Sequence, residues 1–194
     1  TPPSTPDLRR RSPANTPSTT TPAPVGGTEQ RTGRHQMKMR ELTPAAGLPT
    51  PRCNFATVWV NGEKLGLYVH VESIKNDFIE AHFADPGGNL YEGMLSDFRP
   101  HWRGTFAKKT NRAAADWSDI DAVVEALQDP SAAGMAKLEA VVDMESFFTF
   151  WATEVLIGHW DGYAGNRNNF YVYREPGGPL IFIPWGIDQV FSSI

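Results

Sequence analysis

Residues 158–194, GHWDGYAGNRNNFYVYREPGGPLIFIPWGIDQVFSSI, constrain this chain more than any other stretch. An apolar helix ends at their start and delivers a loop carrying Asp161, Asn166, Asn168 and Asn169. A β-hairpin follows, with strands at 170–174 and 180–183 joined by Glu-Pro-Gly-Gly, and a second loop then presents Asp188. A hairpin brings its two ends together, so Asp161 with its asparagines and Asp188 converge on one region. An Asp-Gly or Gly-Asn pair taken alone is a common turn former that bonds its own backbone. The repeated Asn after Asp161, and a second acidic loop one hairpin later, point instead to phosphate chemistry assisted by a divalent metal. In phosphoryl transfer one carboxylate accepts or orients the attacking hydroxyl, while an amide oxygen and a second carboxylate hold Mg²⁺ against the phosphates.

The other candidate chemistries fit less well. The loop DGYAGNRNN puts Tyr163 and Gly165 where an EF-hand needs oxygen ligands. His35, His70, His82, His101 and His159 show no paired zinc spacing, and neither a Walker-A nor a GxGxxG motif is present. His159 reads as a packed helix-end residue. The single cysteine, Cys53, excludes an internal disulfide framework and reads as a core residue. Lys108, Lys109 and Arg112 read as a solvated charge run with the option of meeting phosphates.

Charge divides the chain unevenly. Residues 1–52 carry a net +5 and the remainder a net −9. So acidic a body lacks the basic footprint of a nucleic-acid binder. To handle phosphates it needs cations to offset repulsion. No apolar run is long enough for a transmembrane helix, and no signal peptide is visible. The first residue is Thr, which suggests a processed protein or an excised fragment.

Residues 1–34 are Thr, Pro, Ser, Gly and Arg with few apolar side chains, too little to offset the entropy of ordering, and are expected to be a disordered tail or linker. A short helix is expected over 35–42, ended by Pro44. The β-rich runs on either side of Asn61-Gly62 predict a hairpin with a type I′ turn. Ser73 is expected to cap a helix running to about Phe83. Residues 89–93 form a short strand candidate, and 94–110 show no clear period. Ser118 or Asp119 is expected to cap a helix ended by Asp129-Pro130. A second helix is expected over 132–141. The longest helix follows a cap at Asp143. Its Met144, Phe147, Phe148, Phe150, Trp151, Val155, Leu156 and Ile157 predict a helix buried in the core of a helical lobe. The order, strands first and a helical block after them, is that of an α+β domain.

Two stretches taken together resemble the CotH family, atypical protein kinases of the spore-coat protein H type. The segment VNGEKLGLYVHVESIKNDFIEAHF, followed by GNLYEG, has the Asn-Gly-Glu hairpin, the Gly-x-Tyr-x-x-x-Glu pattern and the helix of one family signature. The segment HWDGYAGNRNNFYVY with FIPWGIDQVF resembles the second, in which Pro-Trp precedes an Asp and a Phe. The resemblance covers residues 35–194 and implies a CotH-like kinase domain, incomplete at one or both ends. The implied fold is a divergent protein-kinase-like one. It has a small N-terminal lobe containing the hairpin and a helical C-terminal lobe carrying the loop-hairpin-loop. The implied activity is transfer of phosphate from ATP, with Mg²⁺ or Mn²⁺, to Ser/Thr of coat or cell-surface proteins, in a secreted, surface or spore-coat setting. By resemblance Asp161 is the catalytic aspartate and Asp188 a metal ligand. Asn169, with Asn166 or Asn168 as rivals, supplies the metal-side amide. Glu72 would face the nucleotide base, and Lys38 is the candidate for the phosphate-contacting lysine. Gly186 stands where many members carry an acidic residue directly after Pro-Trp. That departure sustains a second expectation, an inactive pseudokinase serving adhesion or coat assembly.

Overall fold

The computed structural model describes residues 28–188, 190 and 191. The expected disorder of residues 1–27 lies outside the described residues. The first helix, α1 (Thr28–Ala45), starts inside the segment expected to be disordered and runs through Pro44, well beyond the short helix expected at 35–42. It is followed by β1 (Cys53–Val60) and β2 (Glu63–Val71), which pair antiparallel across Asn61-Gly62. Both turn residues have positive φ, 52° and 84°, as a type I′ turn requires. Asn tolerates that region and Gly has no Cβ to oppose it. Trp59, Val60, Leu65 and Leu67 on this hairpin remain exposed.

Helix α2 (Asn76–His82) begins later than expected. Its N-cap position is Lys75 rather than Ser73. Strand β3 (Asn89–Gly93) is where the sequence places it, and β4 (Phe106–Lys108) emerges from the stretch without a period. Helices α3 (Ser118–Gln128), α4 (Ala132–Val141) and α5 (Met144–Leu156) then form the helical block. Asp143 caps α5 by accepting from the Ser146 N–H at 2.9 Å. Ser118 is the first residue of α3 rather than its cap, and Asp116 accepts its N–H. The short α6 (Tyr163–Asn166) leads to β5 (Phe170–Arg174) and β6 (Leu180–Pro184).

The late hairpin joins β3 and β4. Strands β4-β3-β5-β6 form one antiparallel sheet, while β1-β2 is a separate two-stranded one. Four successive residues of β5 are buried, because both faces of the sheet are covered. Phe170 and Val172, with Phe182 and Leu180, pack with Phe98 and Phe106 and face Ile120 and Val123 of α3 and Phe150 of α5. Tyr171 and Tyr173, with Ile183 and Leu90, face Ile74, Phe78 and Ile79 around α2. The period-two alternation of a strand assigns each side chain to its layer. The result is a mixed α+β body, and no described helix is long and apolar enough to cross a membrane.

One expectation fails in an informative way. Helix α5 is not buried all round: Phe148, Val155 and Leu156 are 62–70% exposed, and Trp151 is 42% exposed. Only the stripe containing Phe150, Thr153 and Glu154 is buried, because α5 packs on β6 and α6 and no other described element covers its far side.

Candidate active site

The loop between α5 and β5 is built around one carboxylate. Asp161 Oδ1 accepts from Asn166 Nδ2 at 2.8 Å and from Asn168 Nδ2 at 3.3 Å. Its Oδ2 accepts from Asn169 Nδ2 at 2.7 Å, and the same amide reaches the Asp161 carbonyl at 3.1 Å. Arg167 and Asn169 both take positive φ, 56° and 51°, which curls the loop back over Asp161. The three asparagines are therefore donors that fix the aspartate. With Nδ2 committed, the carboxamide oxygen is the group each has left for another ligand. Asn168 Oδ1 already accepts the Leu95 N–H at 3.3 Å, which uses one of its two lone pairs. Of the three rivals for a metal-side amide, Asn166 and Asn169 have the less engaged oxygens among the described residues.

The hairpin returns the chain to this loop. Trp185 donates its N–H to the Asn169 carbonyl at 3.2 Å, and the turn that follows holds Gly186, Ile187 and Asp188. Burial is the main reason the Asp188 carboxyl sits above the usual range. The negative charge of Asp161 adds to that rise, while Asp188's own backbone N–H and His159 work against it. Two carboxylates are thus close enough to repel. On the helix side, His35 Nδ1 lies 3.2 Å from the Asp188 carbonyl.

Gly186 is fixed by its surroundings. Its φ is +61°, and a Cβ built there would lie 2.6 Å from Asn169 Cγ. An acidic side chain at this position would displace the carboxamide that holds Asp161. Gly186→Asp is therefore expected to lower stability by about 1–3 kcal/mol rather than restore a lost ligand. Chemical denaturation checks this; a variant as stable as the parent would overturn the packing account.

The second buried constellation was not singled out as functional from sequence. Glu154 and His159 are each 2% exposed. His159 Nδ1 lies 3.3 Å from Glu154 Oε1, and its Nε2 lies 3.2 Å from the Gly186 carbonyl. Glu154 also accepts from the backbone N–H groups of Tyr163 and Ala164, at 3.3 and 2.7 Å. The pair ties α5, the Asp161 loop and the Asp188 loop into one unit. The available signal was a carboxylate near the end of an apolar helix, five residues before a histidine.

The remaining expected residues lie farther out. A hollow of about 230 Å³ is lined by Asn169, Trp185, Gly186 and Asp188 on one side and by Arg40, Thr50 and Cys53 on the other. A cleft of about 800 Å³ shares Arg40 and Cys53 with it and takes in Glu72, Lys75, Lys109 and Arg112. Glu72 is engaged by Arg52: the guanidinium pairs with Oε1, and the Arg52 N–H donates to Oε2 at 3.0 Å. Burial pushes the Glu72 carboxyl up, but the hydrogen bonds and charge of Arg52 outweigh it and hold it low. Lys38 is exposed on α1 and lines neither space, whereas Arg40, two residues on, lines both. Lys109 pairs with Glu92 at 2.6 Å. Cys53 is buried, as expected, and burial raises its thiol.

The donor set around Asp161 and Asp188 consists of carboxylate and carboxamide oxygens, hard ligands of the kind Mg²⁺ and Mn²⁺ take. Among the described residues no three His, Cys, Asp or Glu side chains gather into a metal cage. A cation held here would complete its shell with water and phosphate oxygens, the usual arrangement for Mg²⁺ at phosphoryl-transfer sites.

Comparison with known proteins bears on this arrangement. The family model described as CotH kinase protein matches residues 37–194. Inner spore coat protein H of Bacillus subtilis (strain 168) is 23% identical over 158 residues, covering 75% of this chain and 43% of the relative. The chain thus spans less than half the length of that curated relative. The matched region takes in the β1–β2 hairpin, the carboxamide-held Asp161 and the Asp188 loop, and on that extent of agreement the chain belongs to the CotH family.

Proposed function

We propose that this chain is the site-bearing part of an ATP- and divalent-metal-dependent phosphotransferase with a divergent kinase-like fold, acting on Ser/Thr hydroxyls of coat or surface proteins. The observation that carries the reading is Asp161, held by three carboxamides and facing the electrostatic reach of Asp188. Asp161 orients the acceptor hydroxyl and takes up its proton. Asn166, Asn169 and Asp188 are the residues that would hold the cation, whose positive charge, once bound, offsets that of the phosphates. Arg40 and Glu72 lie in the spaces where a nucleotide would enter. The relative's name, an inner spore coat protein, supports a coat-associated setting. The direct test is transfer of label from γ-³²P-ATP to a Ser/Thr-rich coat-type protein. No transfer with either Mg²⁺ or Mn²⁺ would sink the reading.

A second reading is favoured by Gly186, which supplies no carboxylate, and by Arg52, which already occupies Glu72. It is a pseudokinase that serves coat assembly or adhesion. Nucleotide-dependent stabilisation separates the two: saturating Mg-ATP is expected to stabilise a competent site by about 1–3 kcal/mol and a scaffold not at all.

Asp188→Asn sharpens that measurement. A carboxyl raised in the folded state contributes stability that is full below its unfolded value and is lost as pH rises through the folded one. Once ionised, Asp188 therefore opposes folding. The neutral variant is expected to be more stable than the parent without metal, yet to lose the Mg-ATP gain. Thermal denaturation with and without Mg-ATP reads both effects.

A further inference from the structure

The segment between β3 and β4 lies directly on the Asp161 loop. Ser96 donates its N–H to the Arg167 carbonyl at 2.8 Å, and Leu95 donates its own to Asn168 Oδ1. Tyr163 donates its hydroxyl to Asp97 Oδ1 at 3.2 Å. These contacts hold Trp102 against the loop, with the Arg99 guanidinium 5.2 Å and the Arg167 guanidinium 6.0 Å from its ring.

The arginines in this cluster are not equivalent. Arg99 pairs with Asp97 at 2.6 Å and Arg103 with Asp121 at 2.8 Å. Arg167 has no carboxylate partner among the described residues, although residues 53–194 are strongly acidic. It follows Asn166, whose amide holds Asp161 at 2.8 Å, and its backbone is pinned at φ +56°. A guanidinium steadied on an aromatic face presents its remaining N–H groups as a preformed fork for carboxylate or phosphate.

We propose that Arg167, backed by Trp102, forms an acceptor subsite that reads an anionic group, a carboxylate or a phosphate, flanking the hydroxyl presented to Asp161. The subsite would direct the protein to Ser/Thr with acidic neighbours. Where the neighbour is a phosphorylated residue, one transfer would favour the next along the same segment. The inference rests on the phosphotransferase reading for the role of Asp161, and on geometry alone for anion binding.

The test uses dye-labelled Ser peptides that differ at one flanking position, carrying Ala, Glu or phosphoserine at each position in turn. Binding is read by fluorescence anisotropy. The full chain is expected to bind the best-placed Glu or phosphoserine peptide about tenfold or more tightly than the Ala peptide. R167Q should remove the difference and R167K should keep part of it. Equal binding of all peptides by the parent, or a preference that survives in R167Q, would overturn the subsite. Transfer from labelled ATP to the same peptides runs in parallel. A binding preference without transfer overturns the phosphotransferase reading and leaves the subsite standing. Transfer without preference overturns the subsite alone.

Discussion

Asp161→Ala is expected to lower phosphate transfer by about 10²–10⁴-fold, the usual contribution of a positioned acid–base group. The carboxylate receives Asn166, Asn168 and Asn169 on its two oxygens and lies near enough to Asp188 to raise that group's proton affinity. Deleting it strands three amide donors, so a stability loss of about 1–3 kcal/mol should accompany the loss of activity. The two effects separate when transfer is measured well below the melting temperature of the variant. Asp161→Asn keeps the shape but turns a donor toward donors; it should lose activity as fully as the alanine. Transfer at the parent rate in either variant would remove Asp161 from the chemistry.

The parts of this site that follow from local rules were legible in the sequence. Asn61-Gly62 specified its own turn, Asp143 its own cap, and Glu-Pro-Gly-Gly the hairpin that returns the chain toward Asp161. Each depends on residues a few positions apart. Contacts between distant segments were not legible. Ser96 and Leu95 meet Arg167 and Asn168 some seventy residues on through backbone groups and a carboxamide, which leave no periodic pattern. The pairing of β3 with β5 likewise merges strands the linear order keeps apart. Helix α5 fails for another reason. Apolar spacing marks which side chains favour burial, while Phe148 and Leu156 show that burial also needs a partner on that side. For Gly186, sequence shows only a missing carboxylate. Geometry shows Asn169 filling the space that a side chain there would need.

Glu154→Ala is expected to cost about 3–5 kcal/mol, the loss typical when one member of a buried, hydrogen-bonded pair is removed. Against the 5–15 kcal/mol that holds an ordinary domain together, that is a large share. The carboxylate faces His159 and the first two N–H groups of α6, so its removal takes away the acceptor of both amides and the partner of the buried imidazole. No side chain can fill in from Gly162, since a Cβ there would lie 2.4 Å from His159 Nδ1. Glu154→Gln keeps one carbonyl oxygen for the α6 amides and should lose less, about 1–3 kcal/mol. Urea denaturation gives the totals, and hydrogen exchange at Tyr163 and Ala164 locates them. Those two amides should lose protection in the alanine variant before the β3–β5 pairing does. The loss should also reach the Asp188 loop, because His159 holds the Gly186 carbonyl with its other nitrogen. Once His159 is released, Asp161 and Asp188 are no longer held in register, and Mg-ATP should stabilise the variant less than the parent. A stability loss under about 1 kcal/mol, or full protection at Ala164, would show that Glu154 is not what joins the two loops.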